Sequence, residues 1–266
     1  MQTQAVLTTI KNNVATITLN RPTQLNALNL ELCNALADAL ANVHHNKHVR
    51  AVIINGAGDH FMAGGDIHWF KSLLNEPGDN KQAKFEQVIQ VVNNIVLRIQ
   101  HMQKPVIASV KGAAAGFGFS LMAACDLVIA SNNSYFTLAY CHIGTSPDGG
   151  ATFTLPRIVG HKKAMEIALL GDRFDASKAK ELGLVNQICT PEELEEQSNT
   201  LAQRLSAGPS IALANTKRLI NLSMHNSLEQ QLNAEMESFS TCTTTADFIE
   251  GITAFTEKRK PDFNSK

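Results

Sequence analysis

Apolar and polar positions along the chain follow two different periods. Val6 to Ile10 and Val14 to Leu19 are rich in β-branched residues, and the polar Lys11-Asn12-Asn13 between them predicts a hairpin. From Asn29 to about Val43 the period lengthens: Cys33, Leu36, Ala37, Leu40 and Val43 fall on one helical face, with Asn29 placed to cap it. Ala51 to Ile54 is an apolar run without alternation, the pattern of a strand covered on both sides, and Asn55-Gly56-Ala57-Gly58 turns the chain after it. The cycle repeats with a helical pattern from Phe85 to Met102 and a strand from Pro105 to Val110. A glycine- and alanine-rich stretch then runs from Gly112 to Gly118, followed by a small-residue helix from Ser120 to Cys125 and a strand from Leu127 to Ala130. This alternation continues to about residue 190 and indicates α/β architecture. Strand signals then stop. Thr190-Pro191-Glu192-Glu193 has the form of a helix start, with Thr190 as cap, Pro191 in the first turn and Glu193 closing a capping box. Gly208-Pro209 interrupts that helix, and the remainder is helical in pattern to about Lys260. The expected organisation is a core over 1–195 and a helical region over 196–266.

Composition narrows the class. Of 266 residues, 44% are hydrophobic and 18% charged, which excludes global disorder. The net charge of −1 supplies no field for recruiting nucleic acid or an acidic membrane. Five cysteines without a CxxC pair indicate neither a zinc site nor a disulfide framework, and His44, His45 and His48 in a polar stretch read as solvent-facing rather than as metal ligands. The N-terminal stretch lacks a basic and an apolar region of the signal-peptide kind, and no apolar run approaches a membrane span, so a cytoplasmic protein is expected.

Three stretches carry candidate chemistry. Phe61-Met62-Ala63-Gly64-Gly65-Asp66-Ile67 follows a buried strand, and its small residues let a ligand approach the main chain; Asp66 is placed to cap the next turn. A plain tight turn accounts for Gly-Gly-Asp equally well. Lys111 to Ser120 lies between a strand and a helix, where unpaired N–H groups and the helix dipole favour an anion or a developing oxyanion. It is a poor nucleotide fingerprint, because Gly116-Phe117-Gly118 lacks the third glycine at the right offset, whereas close helix packing explains the alanines. Ile143 to Gly150 is turn-rich and holds one carboxylate, Asp148, which is either a turn-former or a reacting group.

In this order and spacing, these stretches resemble the enoyl-CoA hydratase/isomerase (crotonase) superfamily. The match extends through Asn20-Arg21-Pro22, Asn26-Ala27-Leu28, Cys125-Asp126, Leu155-Pro156-Arg157, Gly171, Ala179 to Val185 and Phe255 to Lys260. The resemblance implies a ClpP-like spiral of ββα units with a C-terminal helical trimerisation region. It also implies an acyl-CoA ligand, no cofactor beyond the coenzyme A of the substrate, and a homotrimer or a hexamer made of two trimers. Residue by residue, it implies an oxyanion hole from the N–H groups of Gly65 and Phe117. Substrate contacts are implied for Ala27, Leu28, Ala63, Gly64, Asp66, Ile67, Phe255 and Lys258, the last two sometimes toward a neighbouring subunit. Trp69, Phe70 and Leu73 are expected to wall the acyl pocket together with Tyr140.

The departures from the pattern bear on the chemistry. Hydratases of the family use two glutamates, and the matching positions here are Ser120 and Tyr140, neither a good base near neutral pH. Asp148 instead matches the single aspartate of the 2-(1,2-epoxy-1,2-dihydrophenyl)acetyl-CoA isomerase type and of the chlorobenzoyl-CoA dehalogenases. The dehalogenases add a histidine where this chain has Asn93, whose amide takes up no proton. The expected activity is therefore acyl-CoA double-bond isomerisation with Asp148 as acid–base. The alternatives are an enoyl-CoA hydratase in which Asp148 activates water, and a non-catalytic or RNA-binding scaffold. His142 is expected as a structural histidine at the pocket edge and Cys141 as a buried, inert thiol. Lys258-Arg259-Lys260 reads as a solvated helix end or a CoA-phosphate contact.

Overall fold

The computed structural model describes residues 4–75 and 80–263. Strands β1 (Val6–Lys11) and β2 (Val14–Leu19) form the expected hairpin. Asn12 and Asn13 both take positive φ, 51° and 62°, which suits a two-residue turn whose twist matches the strands. Helix α1 (Leu30–His45) begins where Asn29 accepts a hydrogen bond from the Leu32 N–H. Then follow β3 (Ala51–Gly56), α2 (Ile67–Asn75), α3 (Lys81–His101), β4 (Val106–Val110), β5 (Ala113–Ala115), α4 (Phe117–Ala124), β6 (Leu127–Ser131) and β7 (Tyr135–Thr137). Next come α5 (Ala151–Val159), α6 (His161–Leu170), β8 (Phe174–Asp175), α7 (Ala176–Glu181) and β9 (Gln187–Cys189). Helices α8 (Leu194–Ser206), α9 (Ser210–Leu222), α10 (Leu228–Thr243) and α11 (Ala246–Thr256) complete the order. None of these helices is long and apolar enough to cross a membrane.

Successive strands divide between two sheets, one ordered β1-β2-β3-β4-β6-β9 and a smaller one ordered β5-β7-β8. Two turns of the chain place one strand in the large sheet and the next in the small one, β4 then β5 and β6 then β7. Single-residue bridges continue the small sheet backward, pairing Met62 with Ala114 and Leu28 with Gly65. The result is a spiral whose turns stack on one another.

Both faces of the large sheet are covered, as the unbroken apolar run in β3 predicts. Val52 and Ile54 join the main core with α1 and α3, while Ala51 and Ile53 pack with Val14, Ile107, Ile129 and the α8 residues Leu194 and Ala202. Helix α8 thus straddles the expected boundary at 195 and lies on the sheet. Its start differs from the sequence expectation: the helix begins at Leu194 after a turn, and the Thr190 N–H and hydroxyl both donate to the Glu193 carboxylate at 3.0 Å. The Thr190 hydroxyl is therefore engaged with a side chain rather than with a helix N–H, and no capping box forms. Helix α4 begins at Phe117, earlier than expected. Gly118 sits inside it because a Cβ there would lie 2.3 Å from the Met62 carbonyl oxygen.

One ion pair fastens the 63–66 loop to the hairpin. Arg21 donates to Asp66 at 3.0 Å and to the Ala27 carbonyl at 2.5 Å. The other Asp66 oxygen accepts from the His68 and Trp69 N–H groups at 3.1 and 3.2 Å, capping α2. Burial alone raises the Asp66 pKa, but the Arg21 hydrogen bond and the helix N–H groups outweigh it and hold the carboxyl below its ordinary range. Asp66→Ala is expected to lower unfolding free energy near neutral pH by about 2–4 kcal/mol, through the lost cap and the unpaired Arg21. A depressed carboxylate contributes fully above its unfolded pKa of about 3.9 and loses that contribution as pH falls through the lower folded value. The gap between wild type and variant should therefore narrow in acid. Denaturant titrations at pH 7 and pH 3 that give the same gap would contradict this account.

Candidate active site

The site is built where two adjacent turns of the spiral meet main chain to main chain. Because Met62 pairs with Ala114, Gly65 and Phe117 hold equivalent places in neighbouring turns, each three residues further on. A Cβ on Gly116 (φ +52°) would lie 3.3 Å from the Gly64 Cα, and one on Gly64 (φ +91°) would lie 3.2 Å from the Ala115 carbonyl oxygen. Side chains at either position would therefore push the two loops apart and strain the backbone. The surrounding main-chain groups are paired: Leu28 N–H to Gly64 O at 2.7 Å, Asp66 N–H to Leu28 O at 2.8 Å, Ala63 N–H to Leu25 O at 3.1 Å and Gly116 N–H to Thr137 O at 3.1 Å. Among the described residues, the N–H groups of Gly65 and Phe117 have no such acceptor. The Phe117 N–H opens helix α4, so the helix dipole adds to its attraction for negative charge.

The Phe117 ring leads directly to Asp148. It packs on Gly149 (φ +59°), where a Cβ would lie 2.9 Å from the ring and 2.9 Å from the Ser120 Cβ. The half-buried Asp148 accepts a hydrogen bond on Oδ1 from the Tyr140 hydroxyl at 2.5 Å. The Ser120 hydroxyl donates to the Asp148 main-chain carbonyl at 3.0 Å and lies 3.3 Å from the Tyr140 oxygen. Burial raises the Asp148 pKa above the usual aspartate range, and the Tyr140 bond opposes this without cancelling it. Tyr140 is pushed up, first by burial and then by the Asp148 charge, so its phenol stays protonated. From α1, the Cys33 thiol is pushed up to about 12 by burial and by the Asp148 charge.

Aromatic rings wall the same region. Phe70 stands over Gly65, where a Cβ would meet its ring at 2.4 Å, and its centroid is 5.5 Å from Trp69 and 5.4 Å from Phe85. Leu73 is buried nearby on α2, whereas Ile67 is exposed. A cavity of about 480 Å³ opens beside Ala63 and Ala115 and is bordered by Leu25, Ala139, His142 and Arg173. His142 is exposed, with Nε2 3.1 Å from the Gly171 carbonyl oxygen.

Several expected residues lie otherwise. Cys141 is exposed rather than buried, because it sits on the outer side of the 3-10 turn that buries Tyr140. His44 is half-buried at the end of α1, although His45 and His48 face solvent as expected. The Asp66 carboxylate is occupied by Arg21 and the start of α2, and its main chain is engaged as well, the N–H with the Leu28 carbonyl and the carbonyl with the Phe70 N–H. Phe255 is 84% exposed at the end of α11, and no hydrogen bond ties it or Lys258 to the loops of the site within one chain. Asn93 is exposed on α3. Two residues without an assigned role emerge: Arg21, visible only within its Asn-Arg-Pro motif, and Cys33, visible only as one more apolar position on α1. Among the described residues, no group of three His, Cys, Asp or Glu is placed to hold a metal ion.

The chain that carries this site matches a known family. The model of the enoyl-CoA hydratase/isomerase family matches residues 9–266, and the chain belongs to that family. It is 35% identical to the 1,2-epoxyphenylacetyl-CoA isomerase of Escherichia coli K12, over 98% of each chain. It is 34% identical to the crotonyl-CoA hydratase of Syntrophomonas wolfei, over 96% of each. A crystal structure of an enoyl-CoA hydratase from Polaromonas sp. JS666 superposes with a TM-score of 0.91 at 36% identity, covering 97% of this chain and 98% of that one. The expected crotonase fold is thereby borne out. Relatives of comparable similarity bear both hydratase and isomerase names.

The close contact at Gly116 makes a testable contrast with a glycine that has room. Gly116→Ala should cost about 1–3 kcal/mol, from its left-handed backbone and its crowding against Gly64. Gly144 is also left-handed (φ +71°) but has nothing within 4 Å, so Gly144→Ala should fall at the low end of that range. Equal losses in denaturant unfolding would show that the loop contact carries no energy.

Proposed function

We propose that the chain is an acyl-CoA double-bond isomerase in which the Gly65 and Phe117 N–H groups hold the thioester oxygen and Asp148 is the sole acid–base. The observation that carries this reading is the state of Asp148. Its carboxyl has a raised pKa and is bonded to Tyr140, while its main-chain carbonyl is bonded to Ser120; these are the two residues that stand where the resemblance places hydratase glutamates. Taking a 3-enoyl thioester, the Asp148 carboxylate removes a proton from C2. The C–H pair moves into the C1–C2 bond, and the carbonyl oxygen takes the charge between the two amides. The pair then returns through the chain, C4 takes the proton back from Asp148, and the double bond rests between C2 and C3. One proton leaves and one returns, with no water consumed and no redox partner required. One oxyanion donor supplies about 10²–10³ in rate and a positioned base about 10²–10⁴. The raised pKa helps the carboxyl keep the proton between transfers.

The same reading gives the main chain of Ala63 to Ile67, with Ala27 and Leu28, the role of receiving coenzyme A. It gives Phe255 and Lys258 a role across a subunit boundary. The chain exposes 14572 Å², about 3,600 Å² more than the ~11,000 Å² of a monomer of this mass. Leu232, Met236 and Phe239 on α10 and Ile249, Ile252 and Phe255 on α11 are all more than half exposed. Self-association into trimers, singly or in pairs, covers such a surface. Phe239→Lys should shift the mass in light scattering toward the monomer; an unchanged assembly would exclude α10 from the interface.

Asp148→Asn should abolish interconversion of 3-enoyl-CoA and 2-enoyl-CoA while leaving thioester affinity within about twofold. Phe117→Pro removes the donor at a helix position that tolerates proline, whereas Phe117→Ala removes only the ring. The proline variant should be slower than the alanine variant by about 10²–10³. Consumption of 2-enoyl-CoA with uptake of water would identify a hydratase, and binding without turnover of any acyl chain would identify a scaffold.

A further inference from the structure

We propose that Tyr140 is a positioning residue for the base: its phenol fixes Asp148 Oδ1 and leaves Oδ2 as the one oxygen that moves the proton. This rests on the reading of Asp148 given above and replaces the expectation that Tyr140 contacts substrate.

Three observations support it. The Tyr140 hydroxyl to Asp148 Oδ1 distance of 2.5 Å is that of a charge-assisted bond, in which a neutral phenol donates to a carboxylate. Tyr140 itself has little freedom: it is 8% exposed and begins the 3-10 turn Tyr140–Ile143, entered through Ala139 at φ 53° and closed by Gly144 at φ 71°. Asp148, by contrast, lies in a turn-rich segment ahead of two left-handed glycines, Gly149 and Gly150, where a side chain is not held by regular structure. Two neighbours hold it instead. Ser120 from α4 fixes its carbonyl and Tyr140 fixes its carboxyl, so the residue is clamped at main chain and side chain alike.

A clamp of this kind sets acidity as well as direction. The ionisable groups coupled to the carboxyl are the Tyr140 phenol, through its hydrogen bond, and the Cys33 thiol of α1, through the Asp148 charge; the Ser120 hydroxyl of α4 bonds the main-chain carbonyl of the same residue. Phenol and thiol both stay protonated, and among the described residues no cationic side chain pairs with Asp148. Tyr140 is therefore the main group opposing the effect of burial. A donor to the charged form lowers the pKa of a carboxyl, so removing it raises that pKa. Activity that needs the carboxylate then fails at a higher pH than before. With one oxygen tied, the proton is also taken and returned by the same Oδ2, on one face of the acyl chain.

The test is the pH dependence of kcat for wild type and Tyr140→Phe on a 3-enoyl-CoA. The acid limb should move up by about one pH unit, a tenfold change in proton affinity, with kcat at the plateau reduced at least tenfold and KM within about twofold. An acid limb that does not move, or a loss confined to KM, overturns the proposal. Asp148→Asn keeps the two claims apart: if it retains wild-type turnover the base assignment itself fails, whatever Tyr140→Phe does. The chain has only two tyrosines, which allows a second measurement that does not depend on the folding of Tyr140→Phe. In Tyr135→Phe labelled with ¹³Cζ-tyrosine, the single remaining resonance should titrate with the midpoint of that variant's own acid limb. A resonance that ignores this midpoint would show that the phenol does not sense the base and would refute the clamp.

Discussion

The contact between Gly64 and Gly116 governs the arrangement of everything else in the site. Two turns of the spiral approach so closely there that a methyl group on Gly116 would come within 3.3 Å of the opposing Cα. Pairing of Met62 with Ala114 sets the register, and the open amides of Gly65 and Phe117 follow from that register without further instruction. Both are main-chain groups in a rigid setting, so in the role proposed for them they would need no reorganisation when charge appears on a ligand. Arg21 reinforces the arrangement from outside by holding Asp66, the residue that follows the first donor.

Much of this was legible in sequence because it depends on local pattern. The hairpin, α1, β3, β4 and β6 follow from period and punctuation, and the glycine-rich stretches mark where main chain must be approached closely. What stayed hidden depends on encounters between distant segments. Gly118 falls in the glycine-rich stretch ahead of the expected helix, yet it lies within α4, where Met62, from another turn, occupies the space a side chain would need. Arg21 and Asp66 are 45 positions apart, and nothing near either residue announces the pair. Cys33 reads as one apolar position on a helix face, and only the fold brings it within the field of the Asp148 charge. Thr190 shows the opposite failure: the local signal was strong, but the Glu193 carboxylate took its hydroxyl and the helix began later.

A shared fold with divergent names among relatives places the chemistry in a few side chains rather than in the scaffold. Here the scaffold supplies two amides and a ring-lined wall. Among the described residues no charged side chain pairs with Asp148: a protonated tyrosine bonds its carboxyl, a serine bonds its main-chain carbonyl, and a protonated thiol senses its charge. A second carboxylate in that space would repel the first and raise its pKa further.

The Phe117 ring joins the two halves of this machinery. Its amide belongs to one half and its side chain rests on Gly149, beside the carboxyl of the other. An amide donates whatever side chain follows it, so the residue at 117 is free to change in size without loss of the donor. The ring therefore acts as a spacer, and its thickness sets the gauge between the Phe117 amide and the segment that carries Asp148. On the function proposed above, enlarging or trimming that single spacer would retune which carbons of a bound chain fall within reach, with the amide and the carboxyl left intact.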